Sequence, residues 1–280
     1  MKFLKIVFII IVLQIAINAQ QITIYLAGDS TMANKTADKR PETGWGEYLQ
    51  INFDETKVKV ENHAQNGRST KSFINEGRWQ KIVDALKKGD YVFIEFGHND
   101  EKLDKPEVGA AANGEYRNNL IRFVNDVRAK KAFPVLLTPV MRRRFNEKGE
   151  FYDTHGEYPD AVRKVAAELK VPLIDMHRKT EVLIKSLGEE ASKKLFLILK
   201  PKEHPNYPDG IEDNTHSWAF GAEKNARLVV EGIKENKLGL VKYLANTEVE
   251  DFSARLLPTK YDRGFRMDGY WVWCGSSIKG

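Results

Sequence analysis

Short apolar runs alternate along the chain with longer stretches whose apolar residues recur every third or fourth position. Ile22 to Ala27 has strand length and ends in the turn signal Gly28-Asp29. Trp45 to Phe53 predicts a short helix, and Val58 to Glu61 a second strand followed by a glycine-containing loop to Ser69. Ile82, Val83 and Leu86 mark one face of a helix that stops at Gly89. Tyr91 to Phe96 is the most strand-like stretch and runs straight into Gly97-His98-Asn99-Asp100. Leu120, Phe123, Val124 and Val127 give residues 119–131 an apolar helical face. Val135 to Leu137 and Leu173 to Asp175 read as strands, and Ala161 to Leu169 and Gly221 to Glu235 as helices. Lys200 to Asp213, rich in Pro, Asn, Asp and Gly, reads as a loop leading to the last helix.

Strands that alternate with helices predict an α/β fold, a parallel sheet covered on both faces. Ligands in such folds sit beyond the carboxyl ends of the strands. Every polar cluster considered below follows a strand or precedes the last helix.

Composition adds a frame to this pattern. With 280 residues, 42% hydrophobic and 30% charged, the chain can bury a core that needs no disulfide, and its single cysteine, Cys274, has no partner within the chain. The first nineteen residues read as a secretory signal peptide: Lys2 and Lys5 open it, Ile6 to Ile17 form a short apolar core, and Ala19 precedes a cleavage point. That predicts a secreted or periplasmic protein with no membrane span after cleavage. The formal charge of +5 falls to +3 without the leader. An excess so small and so spread out argues against a nucleic-acid partner, and is compatible with an acidic polysaccharide without requiring one.

Four features could carry chemistry. Ser30 follows the first strand and a tight turn, where it would stand at the top of the sheet; a helix cap would use serine equally well. Asp213 and His216, three apart before the last helix, could supply the carboxylate and imidazole that a nucleophilic serine needs; a capping aspartate beside a surface histidine is the plain alternative. Gly67 and Asn99 could donate to an oxyanion, one through its backbone N–H and the other through its amide. A positive-φ turn and a self-bonded loop residue would account for them as well.

Their order along the chain carries more than any one of them. Gly28-Asp29-Ser30 after the first strand, Gly67 after the second, Gly97-His98-Asn99-Asp100 after the third and Asp213-x-x-His216 before the last helix resemble the SGNH (GDSL-like) hydrolases from about Ile22 to Leu244. Further blocks narrow the likeness to rhamnogalacturonan acetylesterases of carbohydrate esterase family 12. These are Gly44-Trp45-Gly46, Asn62 to Ser69, Thr138-Pro139-Val140 with Arg142-Arg143-Arg144-Phe145, and Asp153-Thr154-His155-Gly156. The resemblance implies a three-layer, flavodoxin-like α/β/α sandwich around a five-stranded parallel sheet, with no metal and no other cofactor. It also implies a serine esterase that removes acetyl groups from pectic rhamnogalacturonan by way of an acetyl-enzyme. Ser30 would be the nucleophile, His216 the base and Asp213 its partner. The Ser30 and Gly67 N–H groups and the Asn99 side chain would form the oxyanion hole.

Arg142, Arg143 and His155, in the loop after the fourth strand, are candidates to meet uronate carboxylates, or else belong to a solvated basic loop. Trp45 reads as core rather than cleft, and His63, His177 and His204 lack metal-site spacing. The same chemistry on acetylated xylan or on a lipid ester, and a non-catalytic carbohydrate-binding protein on an esterase scaffold, are the competing readings. Residues 21–245 form the expected esterase domain and 246–280 an appendage. Within the appendage, Arg266 to Ser276 is similar to the opening strand of some five-bladed β-propeller glycoside hydrolases.

Overall fold

The computed structural model describes residues 21–245 and the two short segments 270–273 and 276–279. The leader, Cys274 and most of the appendage lie outside the described residues. Five strands, β1 (Ile22–Gly28), β2 (Val58–Asn62), β3 (Tyr91–Glu95), β4 (Phe133–Leu137) and β5 (Leu173–Ile174), form one sheet in the order β2-β1-β3-β4-β5. Every pairing is parallel. This is the doubly wound order in which the chain switches direction between β1 and β3.

Both faces of the sheet are buried, so the strands read as apolar runs while still alternating face by face. Tyr25, Ala27, Val92, Ile94 and Leu136 point to one core. They pack there against Phe73 of α1 (Thr70–Asn75), Trp79 and Ile82 of α2 (Arg78–Ala85), Phe123 and Val127 of α3 (Arg117–Ala129), and Val162 and Val165 of α4 (Tyr158–Leu169). Ile24, Leu26, Phe93, Val135 and Leu137 point the other way. They meet Trp45 and Leu49, Met176 at the start of α5 (Met176–Ser192), and Val229 and Ile233 of α6 (Ala219–Glu235). Phe93 is wholly buried, so Phe93→Ala would cost about 3–5 kcal/mol.

The sequence reading placed these strands and α2, α3, α4 and α6 to within a few residues; it did not predict α1, and three further stretches differ from it. The stretch after Trp45 is two 3-10 turns, Trp45–Tyr48 and Gln50–Asn52, rather than one helix. Residues 176–192 form α5, with Asp175 as N-cap accepting from Arg178 N. Phe196–Leu199 (β6) and Ile211–Ser217 (β7) pair as an antiparallel hairpin, where the reading had a loop up to Asp213. In the appendage, Tyr270–Trp273 and Ser276–Lys279 (β8 and β9) also pair antiparallel.

Candidate active site

Because the five strands are parallel, the loops after β1, β2, β3 and β4 all leave the sheet at one rim. After β1 the chain turns sharply: Met32 N and Ala33 N both donate to the Asp29 carbonyl. Gly44 lets the Trp45 turn press on this bend, for a Cβ there would lie 2.2 Å from the Ala33 carbonyl oxygen. Ser30 stands at the crest, 9% exposed.

His216 reaches Ser30 from β7. The Ser30 hydroxyl lies 2.8 Å from His216 Nε2, and His216 Nδ1 lies 2.6 Å from Asp213 Oδ2. In a flat strand, residues three apart face opposite sides. Here the register slips: Phe196 pairs with Ser217, but the next residue, Leu197, pairs with Asp213. The extra residues of β7 bulge outward, and Asp213 Oδ1 closes the bulge by accepting from Thr215 N and His216 N. The bulge is what puts carboxylate and imidazole on the same side.

The electrostatics suit a base that can be charged in passing. Burial, the largest influence on His216, disfavours its charged form, but the hydrogen bond and charge of Asp213, with help from Glu42, outweigh it and leave the pKa raised. Burial also pushes the Asp213 carboxyl up, yet the His216 bond and the backbone N–H donors hold it below the ordinary range.

Gly67 has φ +77, a conformation glycine adopts without strain. Among the described residues, neither Ser30 N–H nor Gly67 N–H has an acceptor. Asn99 donates one amide hydrogen to the Arg68 carbonyl at 3.1 Å, while its Oδ1 accepts from Lys102 Nζ at 2.7 Å. A flipped amide would set oxygen against a carbonyl and NH2 against an ammonium, so these partners fix its orientation and leave one N–H unused.

Residues the sequence reading passed over complete the frame. Lys35 is buried, and its ammonium donates to the Ser30 carbonyl (2.5 Å), Asn66 Oδ1 (2.7 Å) and Glu42 Oε1 (2.7 Å). It thereby ties the Ser30 turn to the Gly67 loop. Glu42 in turn bridges to Trp218, and Thr43 N donates to the Ser217 carbonyl, joining the same frame to the end of β7. Beneath Ser30, Asp29 and Glu95 share the Thr31 hydroxyl at 2.9 and 3.1 Å. One hydroxyl proton cannot serve two carboxylates. Burial first, and the Asp29 charge second, push Glu95 up to about 8, so Glu95 is the protonated partner at neutral pH. His98 packs beside Asp29 with its Nδ1 3.5 Å from Asp29 Oδ2, and burial pulls its pKa down to about 4.

Two of the three substrate-facing candidates are corrected by the structure. Arg143 is buried: its guanidinium holds the Glu189 carbonyl, Ser192 Oγ and Asn214 Oδ1, and so braces the β7 bulge. His155 is buried between Glu101 Oε1 and the Val140 carbonyl. With their polar atoms spent inside, neither can meet a polymer. Arg142 remains partly exposed at the rim, paired with Glu101 and Thr154. Trp45 is core, its Nε1 bonded to Glu95. His177 pairs with Asp153 and Arg163, and no cluster of three or more His, Cys, Asp or Glu fit for a metal occurs among the described residues.

A doubly wound sheet with Ser, Gly, Asn and Asp-x-x-His gathered at one rim is the arrangement of a serine ester hydrolase. The chain belongs to the GDSL-like lipase/acylhydrolase family, whose pattern matches residues 26–206, and it is a serine ester hydrolase. It is 47% identical to the rhamnogalacturonan acetylesterase RhgT of Bacillus subtilis over 227 residues, 81% of this chain and 96% of RhgT. It is 37% identical to a probable rhamnogalacturonan acetylesterase, YesY, of the same organism, over 78% of this chain and 95% of YesY. Among solved structures it is similar to B. subtilis YxiM, with TM-score 0.67 and 27% identity over 79% of this chain; the match spans 58% of the YxiM chain.

Proposed function

We propose that this esterase removes acetyl groups from pectic rhamnogalacturonan, outside the cytoplasm, through an acetyl-enzyme on Ser30. The observation that carries the proposal is the unbroken hydrogen-bond chain from Asp213 through His216 to Ser30. His216 Nε2 takes the hydroxyl proton as Ser30 Oγ adds to the acetyl carbonyl. The Ser30 and Gly67 N–H groups and the Asn99 amide receive the charge that develops on the carbonyl oxygen. His216 then returns the proton to the departing sugar hydroxyl. Water, deprotonated by the same nitrogen, adds to the acetyl-enzyme, and acetate leaves. Asp213 fixes the imidazole tautomer and balances its transient charge.

The pectic substrate is supported by RhgT and YesY, both named for rhamnogalacturonan. The test is acetate release from acetylated rhamnogalacturonan, acetylated xylan and a long-chain ester, with Ser30→Ala as control. Preferential release from rhamnogalacturonan is expected. Faster release from xylan or from the lipid ester would replace the substrate and leave the chemistry standing.

A further inference from the structure

The opposite rim of the sheet carries a second feature that the catalytic reading leaves unused. A cavity of about 510 Å³ opens where β3, β4 and β5 begin and where α3, α4 and α6 end. Arg128, Lys131, Lys170 and Lys237 line it, all four exposed, and no acidic side chain does. None of the four has an ion-pair partner among the described residues. Arg128 spends only Nη2, on the Leu169 and Lys170 carbonyls. Between the cations lies an aromatic surface: Phe133 is 51% exposed, and its ring leans on Tyr91 with centroids 4.9 Å apart.

Basic residues at helix ends are common because they complement the helix dipole. That accounts for part of the pattern only. Each helix end amounts to about half a negative charge, so three ends offset less than half of four full positive charges. The backbone adds a separate observation. Lys131, Lys170 and Lys237 all adopt positive φ, at 58, 50 and 49°, where glycine is the unstrained residue and the usual choice after a helix. Three helix exits in one cavity thus use lysine where glycine would cost less.

We propose that this groove is a second polysaccharide-binding site, remote from Ser30, for a run of uronates: carboxylates on the four cations and a sugar face on Phe133. The choice of a uronate rests on the pectic reading above. Its role would be to hold the polymer while the opposite rim works. Charge complementarity selects an acidic glycan over a neutral one, and the exposed ring selects a sugar over a simple anion.

The test uses the full-length Ser30→Ala protein, so that binding is read without turnover, in affinity electrophoresis through de-esterified homogalacturonan, its fully methyl-esterified form, or neutral xylan. De-esterified galacturonan should retard the protein, and the other two should not. Lys131→Glu/Lys170→Glu should lower the affinity at least about tenfold, as should 0.5 M salt. Lys131→Gly/Lys170→Gly should weaken binding in the same direction while relieving the backbone, which separates lost charge from misfolding. In the active enzyme these pairs should leave turnover of 4-nitrophenyl acetate unchanged. Equal retardation of parent and variants, equal binding to the methyl-esterified polymer, or a dimer that the Glu pair dissociates in sedimentation would each overturn the proposal. Galacturonan binding without acetate release from rhamnogalacturonan would overturn the substrate reading and leave this site standing.

Discussion

The two rims of the central sheet use positive charge in opposite ways. At the rim where the strands end, cations are spent on the protein itself. Lys35 is buried among Ser30, Asn66 and Glu42, Arg143 braces Asn214, and Lys102 holds Asn99. At the rim where the strands begin, four cations surround a groove without an ion-pair partner among the described residues. Stabilising a developing oxyanion needs donors fixed beforehand, so side chains that could wander are tied down. Holding a polymer needs charge left available. Cations close in number and kind therefore do different work according to whether their partners are already inside the fold.

If the comparison is right, damage at the two rims separates cleanly. Ser30→Ala or His216→Ala should lower turnover of 4-nitrophenyl acetate by at least about ten-thousandfold, with galacturonan retardation unchanged. A loss of both together would break the division.

Asn99→Ala should cost about a hundred- to thousandfold in kcat. Lys102→Met, which acts through Asn99, should cost about tenfold, with KM little changed, and nothing further when added to Asn99→Ala. Multiplying losses in that double variant would show that Lys102 works elsewhere.

Lys35→Met strands Glu42 in a buried site, and breaking such a pair costs about 3–5 kcal/mol. Urea unfolding should show it, whereas Lys170→Gly should leave the midpoint equal or higher.

The smallest effects lie in pH. His216 must be neutral to accept a proton, and its pKa is raised, chiefly by Asp213 working against burial. Activity is therefore lost as pH falls through a pKa raised from the ordinary histidine value, and Asp213→Asn should move that acid limb down while lowering kcat. Glu95, raised to about 8, is protonated in the folded chain and ionised in the unfolded one between its ordinary pKa and that value. Its contribution is full below the ordinary carboxyl pKa and is lost as pH rises towards 8. Glu95→Gln should flatten that decline, seen as a smaller drop in Tm between pH 5 and pH 8.

The sheet and four of the helices were legible because burial on both faces writes itself as strand-length apolar runs and as helical apolar faces. The candidate site drew on order, since Ser30, Gly67, Asn99, Asp213 and His216 each follow a strand or precede the last helix, and the structure joins Asp213, His216 and Ser30 by hydrogen bonds. The β7 bulge was not legible, since Ile211 to Ser217 is mostly polar and its pairing with β6 depends on the intervening residues folding back. Nor was α5, where Gly188 sits at φ +71 and Val182 is 68% exposed, blurring the helical pattern. Arg143 and His155 were misread for a related reason. Their partners lie as far as 71 residues away, so nothing local tells a buried brace from a substrate contact. Lys35, whose bond to Asn66 spans 31 residues, escaped notice on the same grounds.

The most direct test of the catalytic account is covalent labelling with a fluorophosphonate, followed by peptide mapping and repeated across pH. One label per chain on Ser30, forming more slowly as falling pH protonates His216 and not at all in His216→Ala, is the predicted result. A label on another serine, or labelling of Ser30 at the same rate without His216, would contradict it.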